Sequence, residues 1–147
     1  MNNIVVNKLE KEDLKEAIAI YDINHKTKTN YDKLLKQYDD IYNNPVFHNI
    51  VAKKDGRIVG LATVVLNYDI VEELKPFLTV WNVGVHKDYR RCKVGTALLN
   101  YVYDYAKKLN CDFVALIADS DNKQAHAFYE SLGYEKYNGY VKIVDKG

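Results

Sequence analysis

Three segments of this chain combine residue types that can do chemistry together. The first is His86-Lys87-Asp88-Tyr89-Arg90-Arg91-Cys92-Lys93-Val94-Gly95-Thr96, which lies between a β-rich run and a helical period. Free N–H groups at a helix start, a glycine that permits close approach and nearby cations suit the binding of phosphates. An ordinary basic turn with solvated side chains fits the pattern equally well, and no Gly-Lys-Ser/Thr ending makes it a P-loop. The second is Val80-Trp81-Asn82-Val83-Gly84-Val85, in which a glycine interrupts a strand-like run. Such a glycine either fills space or marks a bulge, and a bulge that splays the strand would expose N–H and C=O groups to a ligand containing amides. The third runs from Asp121 to Tyr134, where Asn122 can cap a helix that carries Phe128, Tyr129 and Leu132. With 13 tyrosines in 147 residues, Tyr129 taken alone is better explained by a packing or surface role than by catalysis, and only its company raises the odds.

The elements that must position these segments can be read from periodicity. Ile4 to Leu9 is a β-branched run. Lys11-Glu12-Asp13 opens a helix with Leu14, Ala17, Ile18 and Tyr21 on one side. Asn30 can cap a second helix bearing Tyr31, Leu34, Leu35, Tyr38, Ile41 and Tyr42, stopped by Asn43-Asn44-Pro45. Val46 to Lys53 and Arg57 to Tyr68 read as strands joined at Lys54-Asp55-Gly56, and Phe77 to Val85 as a third. A helix follows from Val94 to about Asn110, then an apolar strand from Phe113 to Ala118. A shorter helix from Lys123 to Leu132 is closed by Gly133, and a final hairpin from Tyr134 to Val144 turns at Asn138-Gly139. The order βααβββαβαββ predicts an α/β fold of the α+β type, with a mixed, mostly antiparallel sheet flanked by helices, in a single domain over residues 1–147.

Composition narrows the function classes. A chain that is 48% hydrophobic and 28% charged, with 2 prolines, reads as globular. Its net charge of +1 supplies no general field for nucleic acid or anionic lipid, so neither partner is expected. The stretch Ile58 to Leu66 falls well short of the ~20 residues of a membrane span. The first residues carry no secretion-signal pattern, and a cytoplasmic location is the expectation. Cys92 and Cys111 lack metal-ligand spacing and read as reduced thiols, so no metal is expected.

Taken in order, the three segments resemble the GNAT superfamily of acyl-CoA-dependent N-acyltransferases, most sharply from Trp81 to Tyr134. Members typically show Gln/Arg-x-x-Gly-x-Gly/Ala at the pyrophosphate loop, represented here by Arg90-Arg91-Cys92-Lys93-Val94-Gly95. The resemblance implies acetyl-CoA as cosubstrate, with Val83, Gly84 and Val85 along the pantetheine arm and Arg91, Cys92, Lys93, Val94, Gly95 and Thr96 around the pyrophosphate. It also implies that Asn122 contacts the cofactor, and that Tyr129, seven residues later, is the general acid.

Two positions depart from the family pattern. Lys93 stands where the first loop glycine is usual, so either no positive φ is needed there or its ammonium compensates through a phosphate contact. Trp81 stands where many relatives carry a carboxylate, leaving Asp69, Glu72, Glu73, His86 and Asp119 as candidate bases, with water as the alternative.

The implied function is acetyl transfer to the primary amine of a small molecule or peptide, by direct attack on the thioester. A non-catalytic acyl-CoA-binding sensor is the alternative, and a homodimer is compatible with the resemblance.

Overall fold

The computed structural model describes residues 3–147. The chain divides into two compact units, one ending at Ile117 and one spanning Ala118–Gly147.

The first unit is built on a five-stranded sheet in the order β1-β2-β3-β4-β5. Its strands are β1 (Ile4–Lys8), β2 (Ile50–Lys54), β3 (Arg57–Tyr68), β4 (Pro76–Val85) and β5 (Val114–Leu116). Neighbours from β1 to β4 pair antiparallel, and β4 pairs parallel with β5. The β2–β3 hairpin turns where the sequence predicts: Asp55 and Gly56 both take positive φ, +51° and +78°, as a two-residue hairpin loop requires. Strand β2 is shorter than expected. Val46 to Asn49 do not join it, and Phe47 only bridges Val65.

Helices α1 (Leu14–His25) and α2 (Tyr31–Tyr42) pack through Leu14, Ala17, Ile20 and Tyr38 onto Val51, Ile58 and Leu61. Asn30 caps α2 as predicted, accepting from the Lys33 N–H at 3.1 Å. Helix α3 (Val94–Lys108) covers the opposite face with Val94, Leu98, Leu99, Val102 and Ala106. Adjacent residues of a strand point to opposite faces, so Leu61 turns toward α1 while Gly60 lies under Val94 and Leu98 of α3. The fully buried Ile50, Val64, Leu78 and Val80 fill the α3 side. No helix among the described residues is long and apolar enough to cross a membrane.

The second unit contains α4 (Lys123–Ser131), capped by Asn122, whose side chain accepts from the Ala125 N–H at 3.0 Å. Gly133 follows with φ of +91°, the left-handed position that ends helices and that the sequence predicts. The final hairpin expected from Tyr134 to Val144 does not form. Residues 134–147 contain no strand, and the observed order of elements ends at α4. A type I′ turn needs positive φ at both central residues, and neither Asn138 nor Gly139 adopts it. Tyr140, Val141, Ile143 and Val144 are accordingly exposed.

Candidate active site

Strand β4 pairs with β5 only from Leu78 opposite Val114 to Val80 opposite Leu116. It then continues through Trp81-Asn82-Val83-Gly84-Val85 with no β5 residue beside it. The cause lies on the other edge of β4. Between the pairs Thr63–Trp81 and Leu61–Gly84, β3 advances two residues while β4 advances three, so β4 carries one extra residue. Asn82 absorbs it in the left-handed region at φ of +57°, which Asn tolerates better than most side chains. The bulge predicted from Gly84 is thus real but centred on Asn82. Gly84 has a separate task, since a Cβ there would come within 3.2 Å of Leu61 Cδ2 and 3.7 Å of Asn24 Nδ2.

The free edge of β4 leads into the loop singled out by the sequence. His86 Nδ1 accepts from the Asp88 N–H at 3.1 Å and starts one short 3-10 turn, Lys87–Tyr89. The chain then enters α3 through Arg91 and Lys93, both left-handed, with φ of +63° and +64°. Lys93 therefore holds the conformation for which a loop glycine is usual, which removes one of the two explanations offered for it.

At Lys93, the N-cap of α3, no side chain closes the helix, and no acidic residue sits in its first turn. The first bond of the helical ladder runs from the Ala97 N–H to the Lys93 carbonyl at 3.0 Å. The N–H groups of Val94, Gly95 and Thr96 precede it and have no partner within the helix. Arg91 and Lys93 are exposed beside them, while Gly95, Thr96 and Cys92 are half-buried. Val83, Gly84, Val85 and the residues from Arg91 to Thr96 thus lie on one continuous ledge of the first unit.

Two residues that sequence reasoning missed shape this ledge. Asn24 in the last turn of α1 donates to the Val85 carbonyl at 3.2 Å and accepts from Arg90 Nη2 at 3.0 Å. Gly60 lets α3 approach, because a Cβ there would lie 2.6 Å from Val94 Cγ1 and 3.1 Å from the Gly84 carbonyl. Its interior strand position was the available signal, the same one that drew attention to Gly84. Asn24 gave none, being one polar residue in a helix.

In the second unit, Asn122 and Tyr129 stand about two turns apart on α4. The Asn122 oxygen is engaged in the cap, leaving its amide nitrogen available. Burial raises the Tyr129 phenol above its ordinary pKa, and its ring meets Tyr134 edge-on at 6.2 Å. The Tyr134 hydroxyl is buried without a hydrogen-bond partner among the described residues.

The candidate bases fare differently. His86 Nδ1 accepts from the Asp88 N–H, so Nε2, 3.3 Å from Arg57 Nη2, carries the ring proton and the imidazole has no free lone pair to act as base. Asp69 accepts from the Val71 N–H at 3.0 Å in the β3–β4 turn that also holds Glu72 and Glu73. That turn rejoins the sheet at Pro76, roughly 20 Å of extended strand from Val83. Asp119 lies in the second unit, where its backbone carbonyl is 2.8 Å from His126 Nε2.

Known proteins resemble this chain in sequence and in fold. An uncharacterized N-acetyltransferase of Methanocaldococcus jannaschii is 30% identical over 99 residues, covering 65% of this chain and 44% of that protein. The ribosomal protein bS18-alanine N-acetyltransferase of Escherichia coli K12 is 36% identical over 58 residues, covering 40% of this chain and 39% of that protein. The chain thus spans less than half the length of these curated relatives. Among solved structures, a Trypanosoma brucei acetyltransferase superposes with a TM-score of 0.84 at 20% identity, covering 96% of this chain and 99% of that one. Glucosamine-6-phosphate N-acetyltransferase from Arabidopsis thaliana gives 0.80 at 18% identity, covering 96% and 97%; at these identities the likeness shows the fold. The model of the acetyltransferase (GNAT) family matches residues 12–134, which takes in the splayed strand, the loop, α3 and Tyr129, and the chain belongs to that family.

Proposed function

We propose that the chain, acting as one domain over residues 1–147, is an N-acetyltransferase that moves the acetyl group of acetyl-CoA to a primary amine by direct attack, with Tyr129 as general acid. The observation that carries this reading is the continuity of an unpaired strand edge with an uncapped helix N-terminus. The pantetheine arm contains two amides, which need donors and acceptors from an extended backbone, and Trp81 to Val85 offer one. The pyrophosphate needs N–H groups and cations, and Val94, Gly95 and Thr96 offer the first while Arg91 and Lys93 offer the second. Cys92 joins Arg91 to Lys93, its own N–H donating to the Tyr89 carbonyl at 3.3 Å. The amide nitrogen of Asn122 is the group it has left for the cofactor.

The chemistry asks three things of these residues. Negative charge developing on the thioester carbonyl oxygen needs a preorganised donor, and the Val83 N–H beside the bulge is the candidate. The departing CoA thiolate needs a proton, which Tyr129 supplies from its hydroxyl. The amine must arrive unprotonated, and with His86 engaged and the carboxylates of the β3–β4 turn distant, water takes its proton.

The reading is tested by adding acetyl-CoA to the purified protein and following melting temperature, CoA release and acetylated product with a panel of amines. A ligand bound only by the folded state raises the melting temperature by mass action. Acetyl-CoA and CoA should do so, dephospho-forms less, and product should form with at least one amine. No thermal shift and no calorimetric heat at saturating acetyl-CoA would reject the assignment. Binding without turnover of any amine would favour a sensor.

A further inference from the structure

Resting on that reading, we infer that the acceptor is an arylalkylamine, a primary amine carried two or three carbons from an aromatic ring, and that Trp81 is the platform on which the ring lies. Helices α1 and α2 bury Val51, Ile58 and Leu61 on one face of the sheet, and Asn24 of α1 reaches Gly84 and Val85 at the end of β4. Beyond Leu61, the same face carries Thr63 and Val65 on β3, and Phe77, Thr79 and Trp81 on β4, by strand alternation.

The named residues of this face are uncharged, and Phe77 and Trp81 are its aromatic members. Phe77 stacks on Phe113 with ring centroids 4.7 Å apart. Trp81 is 43% exposed and Phe113 53%, large fractions for rings of that size beside a catalytic ledge. The Trp81 indole N–H already donates to Thr79 Oγ1 at 3.2 Å, and Asn67 Nδ2 donates to the same hydroxyl at 3.1 Å. The Trp81 carbonyl accepts from Thr63 Oγ1 at 2.6 Å. Those contacts hold the ring in place and satisfy its one polar atom, leaving a flat apolar surface to offer.

Distance and charge then select the ligand. Trp81 and Val83 are two residues apart with the left-handed Asn82 between them, which keeps them within the roughly 6–7 Å that two residues span in an extended strand. That is about the reach from an aromatic ring stacked on the indole to an amine attacking a carbonyl held at the Val83 N–H. None of the face residues named here carries a carboxylate. Asp112, beside Phe113, is paired with Lys75 at 3.5 Å, and Asp69, Glu72 and Glu73 lie at the distant end of the hairpin. A polycation would find no counter-charge here, whereas an aromatic ring finds stacking and apolar burial.

The test compares kcat/KM for 2-phenylethylamine and tryptamine with that for spermidine and kanamycin, in wild type and in Trp81→Ala and Trp81→Phe. The arylalkylamines should be preferred at least tenfold. Trp81→Ala should lower their kcat/KM roughly tenfold to a hundredfold, mainly through KM, and Trp81→Phe should restore most of it. Melting temperatures with and without acetyl-CoA, measured for each variant, separate lost recognition from lost folding. Preference for the polycations, or an unchanged KM in a folded Trp81→Ala protein, would overturn the inference while leaving acetyl transfer intact. So would acetyl-CoA binding with no turnover of either arylalkylamine. Failure of acetyl-CoA to bind would instead reject the acetyltransferase reading, and this inference with it.

Discussion

Asn24 and Val85 are joined across 61 residues of sequence by one hydrogen bond, the Asn24 amide donating to the Val85 carbonyl at 3.2 Å. The other end of the same side chain accepts from Arg90 at 3.0 Å. One amide therefore ties the last turn of α1 to both the free edge of β4 and the loop before α3.

Asn24→Ala should lose both contacts, about 1–2 kcal/mol of stability at the usual worth of such bonds. That corresponds to a fall of roughly 3–6 °C in melting temperature. Acetyl-CoA should bind more weakly in calorimetry. Asn24→Asp keeps an acceptor for Arg90 but sets a carboxylate against the Val85 carbonyl, so it should recover only part of the loss. An unchanged melting temperature and affinity in the Ala variant would show that the ledge stands without this tie.

Gly60→Ala should be poorly tolerated, because the added methyl would meet Val94 Cγ1 at 2.6 Å and Leu98 Cδ1 at 3.2 Å, both on buried side chains. Overpacking of this kind costs about 1–3 kcal/mol. Because Val94 opens α3, the strain should also displace the N–H groups at the helix start and weaken CoA binding. Adding Val94→Ala removes the closest clash, at Val94 Cγ1, so the double variant should bind CoA better than Gly60→Ala alone. Strict additivity of the two substitutions would contradict this account.

Lys93→Gly should separate stability from binding. Holding an L-residue left-handed costs about 1–2 kcal/mol, which glycine avoids. The variant should therefore melt a few degrees higher in the absence of ligand. If the ammonium contacts phosphate, CoA affinity should fall by about 1–3 kcal/mol. Equal or tighter binding, measured by calorimetry, would show that the Lys93 charge is solvated and only tolerated there.

These positions mark what was legible in the sequence. The helices with strong 3.6-residue periods and polar caps at Asn30 and Asn122 appear within a residue or two of their predicted ends, because periodicity and capping are local. Gly84 admits a bulge that splays β4 as one of two readings, and the extra residue sits at Asn82, since register depends on the partner strand as well as on the strand's own residues. The final hairpin does not form because Asn138-Gly139 permits a turn without compelling one. Asn24 and Gly60 act through partners distant in sequence, Val85 and Val94, and no local pattern reports such pairs.

Stability should decline at both ends of the pH range. His48, stacked on Tyr105 at 4.0 Å, has its pKa lowered by burial and then by Lys8 and Lys108. Its contribution is present above the ordinary histidine value near 6.5 and is lost as pH falls below it. Tyr38 is the opposite case. Burial first, then the neighbouring Tyr42, Glu10, Asp13 and Glu12, push its phenol up to about 12. Its contribution is present below about pH 10, where the unfolded phenol ionises, and is lost as pH rises toward 12. Melting temperatures from pH 5 to 11 should show a plateau near neutrality, and His48→Phe should flatten the acid limb. An acid limb unchanged by that substitution would place the effect elsewhere.

The most direct test of the catalytic account is single-turnover acetyl transfer by Tyr129→Phe with a good acceptor. The substitution keeps the ring and deletes only the hydroxyl. Turnover should fall roughly tenfold to a thousandfold, reaching into the usual worth of one positioned acid, with acetyl-CoA affinity and melting temperature nearly unchanged. Because burial raises the phenol above its ordinary value, the wild-type rate should also keep rising as the amine deprotonates, without an alkaline fall below about pH 10. Single-turnover rates of wild type and Tyr129→Phe that agree within about a factor of two would remove Tyr129 as the acid.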